Sequence, residues 1–320
     1  MHKDCEKTEP ELTLVVVAGP TASGKTALAV ALAERLETEI VNFDSVQLYR
    51  DFDVGAAKPD AEELRRVPHH LLGVVDARHP WTAGEYARQA RPVIEEVGRR
   101  RGRVVLAGGT GFYLRALLDG LSPAPAGSPE LREKLRRRAP AQLHRLLTRL
   151  DPEAAARIAA GDAAKAIRAL EVRLLTGGPQ AALWRAAPPS GWSGVRVLKL
   201  GLNPGRAALY ERINARAARM FAGPLPAEAR RLLATYPPQL RIWSSHNYKQ
   251  ACDIVLHGAA PAAALAEAQQ EQRRYAKRQW TWFRADAATV WLNGFGDEVE
   301  IQQQAVRLAE DFAQLDGHSG

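Results

Sequence analysis

Apolar residues fall along this chain in two alternating patterns. Short continuous runs rich in β-branched side chains occur at Leu12–Ala18, Glu39–Phe43, Arg103–Ala107 and Val195–Leu202. Runs of that length and make-up read as strands buried on both faces of a parallel sheet. Between them lie longer stretches with apolar residues at helical spacing: Ala27–Leu36, Thr82–Arg100, Phe112–Leu118, Ala207–Phe221, Ala227–Thr235, Pro261–Phe283 and one more after Asn293. Thr82-Ala83-Gly84-Glu85 is a capping box that opens the second of these. Leu71–Val75 reads as a further short strand, Asp53–Pro59 as a loop and Ser244–Gln250 as a polar turn. Strands alternating with helices predict an α/β fold, a parallel sheet flanked by helices, and Gly19–Thr26, a G-x-x-x-x-G-K-[ST] loop between the first strand and the first helix, makes it P-loop NTPase-like.

The alternation breaks after Leu121. Residues 122–129 are Ser, Pro, Ala and Gly, a linker composition. Helical, Arg-rich sequence follows, with Asp151 as a cap and Pro152 at a first helical position. Gly177-Gly178-Pro179 closes it. This organisation predicts an inserted helical domain at 122–190 within a catalytic core formed by 1–121 and 191–320. The insertion carries eleven basic and six acidic side chains between 128 and 177, which suits a polyanion and equally a solvated helix face.

Composition narrows the class. Charged content of 25% and hydrophobic content of 46% are ordinary for a globular protein. Two cysteines, Cys5 and Cys252, exclude a disulfide framework and supply no zinc-ligand spacing. His69 and His70 lack further ligands at metal spacing and read as structural. Met1–Glu11 is charged and is no signal peptide, and no apolar run reaches membrane-spanning length. A cytoplasmic location is expected. The net charge of +8 suggests a nucleic-acid partner, although an Arg-rich genome produces the same excess.

The chemistry centres on Gly19-Pro20-Thr21-Ala22-Ser23-Gly24-Lys25-Thr26, which fits G-x-x-x-x-G-K-[ST] between a strand and a helix. Backbone N–H groups, the helix dipole and Lys25 make an anion cradle there, and the Thr26 hydroxyl can hold Mg²⁺. Asp44 follows the second strand, at the edge where parallel sheets bind ligands, and is a general-base candidate. A helix N-cap is the alternative for Asp44 or Ser45. Gly108-Gly109-Thr110-Gly111 is a second glycine-rich turn whose strand ends without an acid. That absence argues against a standard ATPase. Arg273–Arg284 carries five basic and four aromatic side chains and no acid, suited to phosphate contacts and base stacking, with the aromatics mostly in the core.

The blocks GPTASGKTALA, FDSVQLYRDFDVGAAKP, PHHLLGVVD, GGTGFYLRALLDGL, LDPEAAARI, RALEV, Arg212–Arg216 and YAKRQWTWFR, in this order, resemble the tRNA dimethylallyltransferase (tRNA isopentenyltransferase) family over roughly residues 12–292. The resemblance implies transfer of a dimethylallyl group from dimethylallyl diphosphate to N6 of the adenine 3′ of the anticodon. It implies Asp44, Thr110 and Arg216 as catalytic residues, Gly19–Thr26 as the diphosphate cradle and Mg²⁺ at Thr26. It implies tRNA contacts at Asp44, Ser45, Val46, Gln47, Thr110, Arg132, Lys165, Arg168, His246, Asn247, Tyr248, Lys249, Lys277 and Arg278. The partners implied are the tRNA anticodon stem-loop and dimethylallyl diphosphate, with a monomeric protein.

Two positions depart from the family pattern. Asn247 stands where the family has glycine; at positive φ it is the least costly replacement, at about 1 kcal/mol. His246 beside it is also unusual. Ala159–Lys165 retains only Asp162 of the family's H-P-x-D-x-x-R, with Lys165 replacing a basic contact. Other readings are an isopentenyltransferase acting on free adenine nucleotides, a small-molecule P-loop kinase with the insertion as its lid, and an RNA-binding module with a relic P-loop.

Overall fold

The computed structural model describes residues 12–121, 125, 127–186 and 190–314. Cys5, the charged N-terminus, much of the linker and the end of the tail lie outside them. The chain forms two compact units. Residues before Leu118 and after Trp192 make one; Leu118–Trp192 makes the other.

The first unit begins β1 (Leu12–Ala18), α1 (Lys25–Arg35), β2 (Ile40–Asn42), α2 (Ala61–Arg66), β3 (His69–His70), α3 (Ala83–Arg101), β4 (Arg103–Ala107) and α4 (Gly111–Leu118). The second unit holds α5 (Pro129–Arg136), α6 (Pro140–Leu150), α7 (Pro152–Arg157), α8 (Ala163–Thr176) and α9 (Gln180–Ala186). The first unit resumes with β5 (Val195–Leu202), α10 (Arg206–Phe221), α11 (Pro224–Leu233), a 3-10 turn at Arg241–Ser244, α12 (Tyr248–His257), α13 (Pro261–Arg284), β6 (Thr289–Leu292) and α14 (Val299–Gln314).

Among the described residues the six strands are all parallel, in the order β3-β2-β4-β1-β5-β6. Val15 of β1 faces Val105 of β4 on one side and Leu198 of β5 on the other. Such β-branched and leucine runs are buried on both faces because helices cover both. One face packs Val15, Val17, Val105 and Leu200 against Leu28 and Leu32 of α1 and Ile301, Ala305 and Ala309 of α14. The order places the C-terminal ends of β2, β4 and β1 side by side. The loops that follow these three strands therefore share one rim.

Four sequence expectations change. Leu71–Val75 is not a strand: Leu71 and Gly73 take φ of 58° and 61°, so only His69–His70 pairs with β2. Ser244–Gln250 is not one turn, since α12 begins at Tyr248 and buries Tyr248, Ala251 and Cys252. The strand β6 lies just before Asn293, where the sequence reading placed no element. Helix α2 has a capping box, Asp60 with Glu63, but buries no residue and so leaves no apolar periodicity to read.

In the helical unit, Leu135, Leu143, Leu147, Ala155, Ala166, Ala169 and Leu170 form a core of their own. Ser128, Asp151 and Asp162 cap the N-termini of α5, α7 and α8 through side-chain oxygens, and Gly177, at φ 70°, ends α8.

Candidate active site

The loop after β1 needs glycine at two points. Gly19 has φ 148° and Gly24 φ 86°. A Cβ on Gly24 would fall 2.7 Å from the Gly296 nitrogen, so the loop following β6 closes against it. Helix α1 then starts at Lys25 with no side-chain cap and no acid in its first turn. Its first N–H groups and dipole are left facing the loop's interior, an anion-binding arrangement. Lys25 Nζ donates to Pro20 O at 2.8 Å. Packing around the ammonium lowers the Lys25 pKa to about 8; the nearby Asp44 opposes this shift and Arg216 adds to it.

A cavity of about 860 Å³ opens over this loop. Thr21–Ala27, Asp44, Gln47, Gly108, Arg216, Tyr275 and Gln279 all line it. The expected cradle, base and clamp residues are thus on one wall-to-wall surface, contributed by the loops after three adjacent strands and by two later helices.

Asp44 is held by its own turn. Asn42 Oδ1 accepts from the Asp44 N–H at 2.9 Å, and Asn42 Nδ2 donates to the Asp44 and Leu71 carbonyls at 3.2 and 3.0 Å. Asp44 Oδ1 accepts from the Val46 N–H at 2.9 Å. Its Oδ2 lies beside Gly109, 3.2 Å from where a Cβ would stand. No helix starts here, so neither Asp44 nor Ser45 is a helix cap. Thr110 Oγ1 accepts from the Ser45 N–H at 3.0 Å and donates to Ser45 Oγ at 3.1 Å, binding the second glycine turn to the Asp44 turn. Tyr275 also reaches Thr110, and burial together with Asp44 pushes its phenol pKa upward. Gln47 Nε2 donates to the carbonyl of Ala57, which also lines the cavity, at 2.9 Å.

Arg216 has neutral partners. Its Nη2 donates to Thr21 Oγ1 at 2.6 Å and to Gln272 Oε1 at 3.0 Å, and its buried Nε has none. Burial lowers its pKa to about 10. Ser23 Oγ, 3.2 Å from where a Cβ on Gly19 would stand, is likewise buried without a partner. A desolvated guanidinium with unfilled donors suits an incoming anion. For a metal, no group of three His, Cys, Asp or Glu side chains exists among the described residues. The Thr26 hydroxyl lines the cavity and is the single oxygen donor that a hard divalent cation takes from a protein when phosphate and water supply the rest.

Sequence reading missed three residues that hold this surface together. Gln279 Oε1 accepts from the Thr21 N–H at 2.8 Å while its Nε2 donates to Gly109 O at 2.9 Å, joining the two glycine loops. Gln272 joins Arg216 to Asn247 Oδ1, the latter at 2.7 Å. Glu228 is buried and accepts from the N–H groups of Asp53, Val54 and Gly55 and from the Tyr248 hydroxyl. The available signal was two glutamines seven residues apart on the buried, otherwise apolar side of α13, where an amide survives only if hydrogen-bonded.

Several expected tRNA contacts stand differently. Tyr248 is fully buried and its hydroxyl is bound to Glu228 at 2.9 Å, so it has no surface to offer. Asn247 does take positive φ, 71°, but is 5% exposed; its amide is spent on Gly55 O and Gln272. Lys249 is exposed and paired with Glu267. His246 leans on the Tyr275 ring, with centroids 4.7 Å apart, between Glu271 and Arg278. Lys277 and Arg278 face solvent, whereas Trp280 and Phe283 are core. In the helical unit, Arg132 and Arg168 both bind Glu171, which is fully buried. Lys165 is exposed and paired with Asp162 at 2.9 Å.

The family model described as IPP transferase matches residues 47–286. Among curated relatives, the tRNA dimethylallyltransferase of Koribacter versatilis is 49% identical over 92% of this chain and 97% of its own. That of Solibacter usitatus is 47% identical over 94% and 99%. Among solved structures, the tRNA isopentenylpyrophosphate transferase of Bacillus halodurans superposes with a TM-score of 0.70 at 31% identity, covering 96% of this chain and all of that one. A eukaryotic dimethylallyltransferase acting on tRNA shares the fold, with a TM-score of 0.80 at 21% identity over 95% of this chain and 80% of that one.

Proposed function

The chain belongs to the IPP transferase family, and we propose that it transfers a dimethylallyl group from dimethylallyl diphosphate to N6 of the adenine 3′ of a tRNA anticodon. The observation that carries this reading is the single cavity in which a P-loop cradle, Arg216 and Asp44 converge. The diphosphate lies on the α1 N-terminus between Lys25, Thr26 and Arg216. The N6 lone pair attacks the allylic C1, the C1–O bond breaks, and the diphosphate leaves with the bonding electrons. Asp44 takes the proton lost from N6. Lys25, Arg216 and the loop N–H groups are fixed before reaction where negative charge grows, which is where preorganised donors lower a barrier most. Mg²⁺, held by Thr26 and the diphosphate, would supply further charge neutralisation.

Thr110, Ser45 and Gln47 orient the adenine, which must leave the loop stack to reach them, at a cost of a few kcal/mol. The helical unit, through Lys165 and the exposed edges of Arg132 and Arg168, grips the anticodon stem. The enzyme works as a cytoplasmic monomer. Among the described residues no helix is long and apolar enough to cross a membrane.

The test incubates the protein with Mg²⁺ and labelled dimethylallyl diphosphate, offering unmodified tRNA, AMP or ATP. Label is expected on tRNA alone. Label on AMP would replace the reading with a free-nucleotide enzyme, and ATP turnover without transfer would replace it with a kinase. Asp44→Ala should lower kcat by about 10²–10⁴-fold with RNA affinity retained. Retained turnover with weakened RNA binding would remove Asp44 from the base role.

A further inference from the structure

The second glycine turn is flanked on the protein surface by an aromatic pair. Phe112 of α4 and Trp282 of α13 meet edge to face, with ring centroids 6.3 Å apart at 85°. They are 49% and 43% exposed, and every other large hydrophobic exposed among the described residues is Leu or Val. Exposure is particular to this pair. Trp280 and Phe283, on either side of Trp282 in the sequence, are 7% and 4% exposed.

The pair adjoins the site. A Cβ on Gly111 would fall 2.0 Å from Trp282 Cδ1, so the indole lies directly on the residue after Thr110. Along α13, Trp282 stands seven residues from Tyr275, two turns along the same helix face, and Tyr275 lines the cavity with Asp44. The surroundings are cationic. Arg274, Lys277, Arg278 and Arg284 are exposed on α13, Arg115 lies one turn beyond Phe112 on α4, and no acid interrupts Arg273–Arg284.

We infer that Phe112 and Trp282 form a stacking platform for an unpaired RNA base, the one next to the adenine that enters the cavity. This rests on the proposed function. Extruding a base leaves its neighbour without a stacking partner. Flat aromatic rings among cations replace that partner and meet the adjoining phosphates. A phosphate-bearing chain fits better than a protein surface, because the cations around the rings run from Arg273 to Arg284 with no acid among them.

Fluorescence anisotropy with a labelled anticodon stem–loop RNA tests the platform. Trp282→Ala should weaken binding about tenfold, the scale of one base–aromatic stack, while Trp282→Phe keeps most of the affinity. KM for dimethylallyl diphosphate should not move. Removing the base at one of the two positions flanking the adenine should weaken wild-type binding by a similar factor, and Trp282→Ala should lose nothing further with that RNA. Phe112→Ala runs the same cycle if Trp282→Ala is unstable. Unchanged RNA affinity in both variants, losses that multiply, or a wild-type protein that does not bind the RNA would each overturn the inference. The binding cycle needs no turnover. A wild-type protein that binds RNA and passes the cycle but transfers nothing would overturn the prenyl-transfer reading alone.

Discussion

Two arginine sites in this protein are built on opposite principles. In the helical unit, Arg132 and Arg168 close on the fully buried Glu171, which also accepts from the Ser128 N–H at 2.7 Å. The two guanidiniums draw the Glu171 pKa down against the opposing effect of its own burial. In the catalytic unit, Arg216 donates hydrogen bonds to the Thr21 hydroxyl and the Gln272 amide, and Asp44 acts on it as a neighbouring charge without a bond. The first cluster is internally neutralised and serves as scaffolding. The second keeps its charge for something that arrives. A desolvated cation with no carboxylate bonded to it is costly to the fold and belongs where a ligand will complete it; charge count alone does not make that distinction.

Substitution should separate the two sites. Arg216→Met should lower kcat/KM for dimethylallyl diphosphate by about 10²–10³-fold, the scale of one preorganised donor at the developing charge, with the melting temperature held or raised. A normal kcat/KM with a lowered melting temperature would make Arg216 scaffolding too. Glu171→Ala should do the reverse. It leaves two cations facing each other and an unpaired Ser128 N–H, and should destabilise the helical unit by about 2–3 kcal/mol in urea unfolding. Transfer to saturating RNA should remain. Unchanged unfolding would show the Glu171 cluster to be idle.

The cross-link through Gln279 gives an intermediate effect. Gln279→Leu strands the Thr21 N–H and the Gly109 carbonyl, each worth about 1–3 kcal/mol if left unsatisfied. The kcat should fall while both KM values stay near wild type. A loss confined to KM would mean that Gln279 contacts substrate rather than spacing the two loops.

The smallest effect is a pH dependence. Lys25, lowered to about 8, is charged below that pH and neutral above it. Diphosphate prefers the charged form, so kcat/KM should be full below pH 8 and decline above it. The kcat should hold to higher pH, because bound diphosphate raises the Lys25 pKa again. A kcat/KM flat from pH 7 to 9.5 would assign the charge elsewhere.

The sequence by itself determined the parallel sheet, the cradle and the position of Asp44. These depend on local chemistry: β-branched runs that must be buried, glycines that alone accept the loop's φ values, and an acid two residues beyond a strand. It also determined that Asn247 could occupy a positive-φ position. Tertiary structure decided which charges are spent and which are free. Arg132 and Arg216 look alike in the chain, and only the partners brought from distant segments, Glu171 for one and Gln272 for the other, tell them apart. The same holds for Tyr248, which the family resemblance places among RNA contacts and which packing against Glu228 and the 53–55 loop removes from the surface. Long-range hydrogen bonds between α13 and the strand loops have no sequence period, because their spacing is set by the fold and not by the helix or strand that carries them.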